Sequence, residues 1–490
     1  MTTNLRRTKI VATLGPATDA PEVLARTLAA GVDVVRLNLS HGQPGDHRRR
    51  AEAVRAWAAA SGREIGILAD LQGPKIRIER FASGPVRLQE GMSFVLDCRL
   101  DAPPGDATRV GVSYTGLPRD VRGGDVLLLD DGLVALDVRE VVGAEVRCTV
   151  RVGGVLSDRK GLNRQGGGLS VDALSDKDRA DIRLAASMEA DFLAVSFVRS
   201  AADIEEARRL LREAGGDAWL VAKIERADAI PVLDEIIDAS DAVMVARGDL
   251  GVEIGDAELP GLQKKIIRQA VSRNRAVITA TQMLQSMVSA PIPTRAEVLD
   301  VANAVLDGTD AVMLSQESAS GAHPDLAVAA LHRICVGAER QFQAQDYAAW
   351  PGAQRLDRSD QAIAHAAMDL ANRIDAAAIV ALTESGATAQ WLSRYRSTVP
   401  IYALSHNPAA RRRMRLLRDV QPVAFSSGDV GDDAAALVRA AIHHLTDLGL
   451  LDAGSRVLLT HGEVGRHGGT NTLKLISVGE RGGVESPREL

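Results

Sequence analysis

Residues 218–250 read AWLVAKIERADAIPVLDEIIDASDAVMVARGDL. Two short apolar runs, 218–225 and 242–248, stand at its ends, and each breaks off into charged residues, KIE in one and RGD in the other. Such runs suit strands buried on both faces of a parallel sheet. Six more occur in the first two-thirds of the chain, at 9–14, 32–39, 64–71, 191–198, 276–281 and 311–315. Segments of helical periodicity, such as 201–214 and 262–273, separate them. Strand alternating with helix implies right-handed βαβ units.

Connection length sharpens this reading. Most connections fit one helix with its turns, but residues 72–190, about 120 of them, are too many for a helix alone, so a domain is inserted there. Its interior, DVLLLDDGLVALDVREVVGAEVRCTVRV (125–152), shows short alternating strands and an Asp-Gly turn, the pattern of a small antiparallel β domain. Without the insert, roughly 250 residues and eight strands remain, the usual size of an α/β (β/α)8 TIM barrel. The expected division is a barrel of 1–71 and 169–344, an inserted β-barrel lid of 72–168, and a C-terminal domain of 345–490. That last part begins with a linker, DYAAWPGAQRLDRSD, and then alternates helices with strands at 377–383, 400–405, 422–425 and 456–460. It reads as an open-sheet α/β domain. Residues 472–478 read as its last strand, arginines 411–413 as a solvated helix face, and the closing RGGVESPREL as a frayed end.

Composition narrows the function classes. A chain of 490 residues with 46% hydrophobic and 25% charged residues is an ordinary globular mix. A net charge of −6 argues against a generally basic nucleic-acid binder, and 3% aromatics argue against base-stacking platforms. Cys98, Cys148 and Cys335 lie far apart with no C-x-x-C spacing, which speaks against a disulfide framework or zinc site and fits a reducing compartment. No apolar run reaches the ~18 residues of a membrane span. The opening MTTNLRRTKIVATLG leaves no room for a signal peptide, so a cytoplasmic protein is expected.

In a (β/α)8 barrel, chemistry collects at the C-terminal strand ends. Here those ends carry Arg36, Asn38, Ser40 and His41 (second strand), Asp70 with the following Lys75 and Arg77 (third), and Ser196 and Arg199 (fourth). Lys223 and Glu225 follow on the fifth, Arg247, Gly248 and Asp249 on the sixth, Thr279, Thr281 and Gln282 on the seventh, and Ser315 and Glu317 on the eighth. Lys223 and Glu225 are two apart on a strand and share one face. Alone they are a plain ion pair or a ligand set. With Asp249 beyond the next strand, Glu225 gains a second carboxylate beside it, a pair suited to a hard, partly hydrated Mg2+ or Mn2+. Cation, ammonium and Arg36 together would stabilise a phosphoryl group or an enolate oxygen. The turn Gly248-Asp249-Leu250-Gly251 offers backbone N–H groups for a small anion, and it is equally an ordinary turn. Arg77 and Lys160 flank the insert, whose closure could bring cations onto phosphates. In the C-terminal domain, Ser385, Gly386, Ala387 and Thr388 lead into a helix and suit a phosphate or a simple N-cap.

These residues lie in segments that resemble pyruvate kinase along nearly the whole chain: TKIVATLGPAT, RLNLSHG, ADLQGPKIR, RKGLN, SFVR, AKIE, MVARGDLGVEI, QKKII, ITATQMLQSM, PTRAEVLDVANAVLDGTDAVMLS and SGATA. The resemblance implies the same three-part architecture. It also implies phosphoryl transfer from phosphoenolpyruvate to ADP, giving pyruvate and ATP. By position, Lys223 resembles the lysine on the transferring phosphoryl and enolate oxygen, and Glu225 and Asp249 resemble the divalent-metal ligands. Arg36 resembles the substrate-phosphate arginine. Gly248, Asp249 and Thr281, with Ser196 nearby, resemble the substrate site, and Thr281 lies where the enolate is protonated. Asn38, Ser40, His41, Arg77 and Lys160 resemble nucleotide-site residues, and Asn38, Ser40 and Asp70 a monovalent-cation pocket. Leu71 with Lys75 resembles the subgroup that works without K+, the Lys75 ammonium joining Asn38, Ser40 and Asp70 in that pocket and supplying its single charge. Ser315-Gln316-Glu317-Ser318 departs from the family's usual S-G-E-T. The resemblance further implies a phosphorylated allosteric effector at residues 385–388 and a homotetramer. A metal-dependent aldolase or lyase on the same barrel, and a non-catalytic binder, are the rivals; neither a nucleic-acid nor a membrane partner is expected.

Overall fold

The computed structural model describes residues 6–341, 356, 358–395, 397, 399–426, 433–462 and 469–485. Most of the expected linker, and the boundary at 345, lie outside them. Eight parallel strands close into a barrel: Lys9–Leu14, Val34–Asn38, Gly66–Asp70, Phe192–Val195, Trp219–Ile224, Ala242–Ala246, Ala276–Ala280 and Ala311–Leu314. All eight expected strands are present; the first has the expected bounds and the other seven are trimmed at one or both ends. The sixth stops at Ala246 because a helix, Arg247–Ile254, begins at once.

The period of two divides every barrel strand between two cores. Ala12, Val35, Leu37, Ala69, Val195 and Ala222 face the surrounding helices. Val11, Val34, Leu68, Ala194, Val221, Met244 and Ile278 fill the inside of the barrel. The inward row continues upward as Arg36 and Asn38 after Val34, Asp70 after Leu68, Ser196 after Ala194, and Lys223 and Glu225 after Val221. Polar chemistry thus occupies the upper end of the inward row, and apolar residues fill the middle, with Lys9 at the floor.

An aspartate precedes every even strand of the barrel. Asp33, Asp191, Asp241 and Asp310 accept the backbone N–H groups of Ile10, Ile67, Leu220 and Val277 at 2.8–2.9 Å, each from the neighbouring odd strand. These carboxylates satisfy strand-start amides that have no ladder partner. Buried charge then requires cations. Arg415 pairs with Asp33, Arg412 with Asp191 and Arg394 with Asp310, all from the C-terminal domain, while Arg208 serves Asp241 from within the barrel.

The inserted domain has a six-stranded sheet containing Val126–Leu129, Val134–Val142 and Glu145–Val152. Its strand order is open, so it is a curled sheet where a β-barrel was expected, and one pair, Ser93–Asp97 with Arg109–Gly111, runs parallel. Its own apolar core includes Phe94, Leu127, Leu136 and Val150. The chain leaves and re-enters the barrel side by side, since Arg77 bridges Gly161.

The C-terminal sheet runs in the order Val420–Ala424, Ile401–Ser405, Ala378–Leu382, Arg456–His461, Thr472–Val478, Val484–Glu485. The first four strands are parallel and the last two antiparallel. The closing segment is therefore not simply frayed: residues 484–485 add a strand, while 486–490 lie outside the described residues. Arginines 411–413 are not a solvated face either. Arg411 reaches Glu64, Arg412 reaches Asp191 and Arg413 reaches Asp217, at 2.7–2.8 Å, so their helix, Pro408–Met414, is pinned to the barrel floor. The interior core of the barrel continues into Met414, Leu416 and Leu417 of this domain.

Candidate active site

Four buried charges meet at the upper end of the barrel interior. Arg36 Nε donates to Asp70 Oδ2 at 2.6 Å and Nη1 to Thr13 Oγ1 at 3.0 Å. Lys223 Nζ donates to Ser196 Oγ at 2.6 Å, and lies 3.0 Å from Glu225 Oε1 and 3.3 Å from Asp70 Oδ1. The Ser196 hydroxyl in turn donates to the Leu71 carbonyl at 2.9 Å. The Phe197 N–H donates to Glu225 Oε2 at 2.8 Å, with Phe197 at φ 56°. A positive φ at a bulky residue is a strained turn, held here because it points that amide at the carboxylate.

Electrostatics follow from this packing. Burial works against the Lys223 ammonium, but Asp70 and Glu225 outweigh it and raise its pKa. Burial also works against the Asp70 carboxylate, and Lys223 and Arg36 outweigh it and lower its pKa. Glu225 goes the other way: burial, helped by the charges of Asp249 and Asp70, raises its pKa against the pull of Lys223. The Asp249 charge thus acts on Glu225, as a second carboxylate offered to a shared divalent ion would.

Asp249 stands in the first turn of the helix Arg247–Ile254. Lys75 Nζ donates to its Oδ1 at 2.9 Å, so Lys75 sits on Asp249 and not in the expected pocket, where Asp70 is held by Arg36 and Lys223. The Gly248 N–H donates to Thr281 Oγ1 at 2.8 Å, and Thr281 Oγ1 donates to the Ala280 carbonyl at 2.7 Å. Thr281 has φ 69° and Gln282 φ 53°. That conformation is unfavourable for a β-branched residue. Arg247 holds it, donating Nη2 to the Thr281 carbonyl at 2.6 Å while Nη1 pairs with Asp300 at 2.7 Å.

The outer residues form a looser set. The Ser40 N–H donates to Asn38 Oδ1 at 3.2 Å, and Asn38 pairs in register with Asp70. The His41 carbonyl meets His47 Nε2 at 2.8 Å. At the root of the insert, Arg77 Nη1 donates to the Arg159 carbonyl at 2.9 Å and Lys160 pairs with Asp130 at 2.8 Å. Far away in the C-terminal domain, the Gly386 N–H (φ 92°) donates to Thr383 Oγ1 at 3.0 Å, and Thr388 and Thr470 hydroxyls meet at 2.5 Å; Ser385 and Ala387 are exposed. Glu317 is a buried brace, accepting the Leu284 N–H at 3.1 Å and the Ser315 N–H at 2.7 Å.

Among the described residues no three His, Cys, Asp or Glu side chains form a closed metal cage. Glu225 and Asp249 offer the carboxylate oxygens that suit a Mg2+-type ion, which keeps water and substrate oxygens among its ligands. Thr13, Phe197, Arg247 and Asp178, whose carboxylate takes the Gly73 N–H at 3.0 Å, serve the site without having been assigned roles from the sequence. Thr13 had a readable signal: it lies two residues after Val11 on an inward row.

A (β/α)8 barrel whose rim gathers an ammonium, a guanidinium and carboxylates is the frame of an enzyme that moves anionic groups with a divalent cation. The family model "Pyruvate kinase, barrel domain" matches residues 5–328, and "Pyruvate kinase, alpha/beta domain" matches residues 361–476. The chain belongs to the pyruvate kinase family. It is 52% identical to pyruvate kinase II of Salmonella typhimurium over 98% of this chain and the whole of that one. It is 50% identical to pyruvate kinase of Haemophilus influenzae over 95% of this chain and 97% of that one. The crystal structure of a pyruvate kinase from Cryptosporidium parvum superposes with a TM-score of 0.90 at 32% identity, over 96% of each chain.

Proposed function

We propose that Lys223, Glu225, Asp249, Thr281 and Arg36 are the groups with which this chain carries out its family's reaction. That reaction is phosphoryl transfer from phosphoenolpyruvate to ADP, the last step of glycolysis, and the chain is a phosphotransferase of this kind. The observation that carries the assignment is Lys223, buried between Ser196 Oγ, Glu225 and Asp70. The aldolase or lyase reading has no support: both matched family models and the relatives above are pyruvate kinases.

In this reading Glu225 and Asp249 would hold a divalent cation, Mg2+ or Mn2+, which would supply positive charge to offset that of the transferring group. Arg36 binds the substrate phosphate. The amides of Gly248 and Asp249, with Thr281 and Ser196, receive the substrate end that does not react; the Gly248 N–H already donates to Thr281 Oγ1, so the substrate carboxylate would share that N–H. The bond between phosphorus and the enol oxygen breaks as an oxygen of the ADP β-phosphate bonds to phosphorus in line. Lys223 offsets charge on the phosphoryl oxygens and then on the enolate oxygen. A proton delivered to the enolate carbon beside Thr281, through water, gives pyruvate. Asn38, Ser40, His41, Arg77 and Lys160 hold the nucleotide.

Asn38, Ser40 and Asp70 form the monovalent-cation pocket, with the Lys75 charge making K+ unnecessary. Ser385, Gly386, Ala387 and Thr388 take a phosphorylated effector. The chain assembles as a homotetramer and works in the cytoplasm. Among the described residues no helix is long and apolar enough to cross a membrane, and all three cysteines are unpaired. The test is a coupled assay with phosphoenolpyruvate, ADP and Mg2+, measuring pyruvate and ATP together. Equal yields of both support the reading, and pyruvate without ATP counts against it.

A further inference from the structure

Lys75 belongs to the segment by which the chain leaves the barrel for the inserted domain, and it grips three parts of the molecule. Two residues before it, Gly73 is fixed: its φ is 66°, its N–H is held by Asp178, and a Cβ there would come within 2.7 Å of the Ser196 side chain. One residue after it, Ile76 is buried in the core of the inserted domain. The Lys75 stem crosses the returning strand at Gly161, where a Cβ would stand 3.2 Å from Cε. Its ammonium ends on Asp249 Oδ1 at 2.9 Å. The returning strand reaches the same helix a turn further on, since Asn163 Nδ2 donates to Glu253 Oε1 at 3.3 Å and the Gly166 N–H donates to the Glu253 carbonyl at 3.0 Å. Both roots of the inserted domain are therefore tied to the one helix that carries Asp249.

We infer that Lys75 is a built-in counterion for Asp249 which a divalent cation must displace, so that loading the metal loosens the root of the inserted domain. The inference rests on the reading of Glu225 and Asp249 as metal ligands. An ammonium and a hard cation seek the same carboxylate oxygen, and the ammonium brings one charge where the cation brings two. When Lys75 is displaced, its charge is set free on the rim beside the anionic substrates. By linkage, whatever pulls Lys75 off Asp249 favours the metal, and the metal favours a released strap to the same degree.

The test uses the full chain without substrates. Mn2+ affinity is measured by electron paramagnetic resonance for the wild type, Lys75→Met, Lys75→Arg and Asp249→Asn. Amide exchange of segments 74–78 and 161–164 is measured with and without Mg2+. The pair is about a quarter exposed on each side, so Lys75→Met should bind Mn2+ about three- to tenfold more tightly, with Lys75→Arg close to wild type. Mg2+ should speed exchange in both segments of the wild type and add nothing in Lys75→Met. Unchanged or weaker Mn2+ binding by Lys75→Met, while Asp249→Asn binds poorly, overturns the inference alone. So does a wild type that binds Mg2+ without any change in exchange. Normal Mn2+ binding by Asp249→Asn overturns the metal assignment itself, and the inference with it.

Discussion

Lys223 and Glu225, two residues apart on one barrel strand, meet at 3.0 Å between Nζ and Oε1 with both side chains almost fully buried. Spacing alone puts them on one face; the barrel turns that face inward and excludes water from it. The resulting ammonium is fixed in place before substrate arrives, which is what electrostatic catalysis requires. Lys223→Met should lower kcat at least about 100-fold. It should also cost about 1–3 kcal/mol of stability, because Glu225 loses its cation while Asp70 keeps Arg36. Steady-state kinetics and urea unfolding of the same preparation check both. Near-normal turnover would remove Lys223 from the mechanism.

Thr281 separates stability from activity. At φ 69° a β-branched residue is strained by roughly 1–3 kcal/mol. Thr281→Gly relieves that strain but adds about 0.5–1 kcal/mol of unfolded-chain entropy. Net stability should stay within about 1 kcal/mol of wild type. Turnover should fall at least about tenfold, since the Gly248 amide loses its acceptor and the protonation site its hydroxyl. Intact turnover with unchanged stability would make Thr281 a bystander.

The cation requirement gives a cheap test. With Lys75 carrying a permanent charge on the rim, activity should be the same in K+-free buffer as in 0.1 M K+, to within about twofold. Lys75→Glu should be slow and should recover with added K+. A wild type that is silent without K+ would contradict the role given to Lys75.

Lys9 makes stability depend on pH. It is wholly buried at the barrel floor, where Nζ donates to the Val420 carbonyl at 2.6 Å. Burial, with Arg415 and Arg6 beside it, outweighs Asp33 and Asp419 and brings its pKa down to about 7. An unfolded lysine titrates near 10.4. Above about pH 7 the unfolded chain therefore holds a proton that the folded chain has released, and this group makes stability rise with pH by roughly 1 kcal/mol per unit. Below that pH both states are protonated and the contribution is flat. The buried thiols, pushed up to about 12 by burial, act in the opposite direction at higher pH, so the difference between wild type and Lys9→Met isolates the lysine. Urea unfolding at pH 7 and 8.5 should show that difference, and parallel curves would refute it.

The arginines of the helix Pro408–Met414 should differ among themselves. Arg412 meets Asp191, which is 2% exposed and also holds the Ile67 amide; Arg413 meets Asp217, which is 91% exposed. Arg412→Ala should cost about 1–3 kcal/mol, moderated because Arg55 still reaches Asp191. Loss of the exposed pair in Arg413→Ala should cost less than about 1 kcal/mol. Thermal denaturation orders the two, and equal losses would deny that burial decides.

Where the sequence could be read, local pattern was enough. Strand-end position singled out Arg36, Asp70, Ser196 and Lys223, the period of two put Lys223 and Glu225 on one face, and the length of 72–190 exposed the insert. The aspartates before the even strands also leave a trace, in VDVV, ADFL, SDAV and TDAV. What escaped depends on distant partners. Arginines 411–413 look solvated until the barrel floor, some 200 to 350 residues earlier, supplies Glu64, Asp191 and Asp217. The bond from Lys75 to Asp249 spans the whole insert. The left-handed backbone of Thr281 and Phe197 runs against their intrinsic preference, so no propensity could have foretold it.

The most direct test of the site is an anomalous difference map from crystals of the full chain grown with Mn2+ and phosphoenolpyruvate. The account predicts one manganese peak about 2.0–2.4 Å from carboxylate oxygens of both Glu225 and Asp249, with Lys223 Nζ on the phosphoryl group. Manganese bound elsewhere, with neither carboxylate ligating it, would contradict the account.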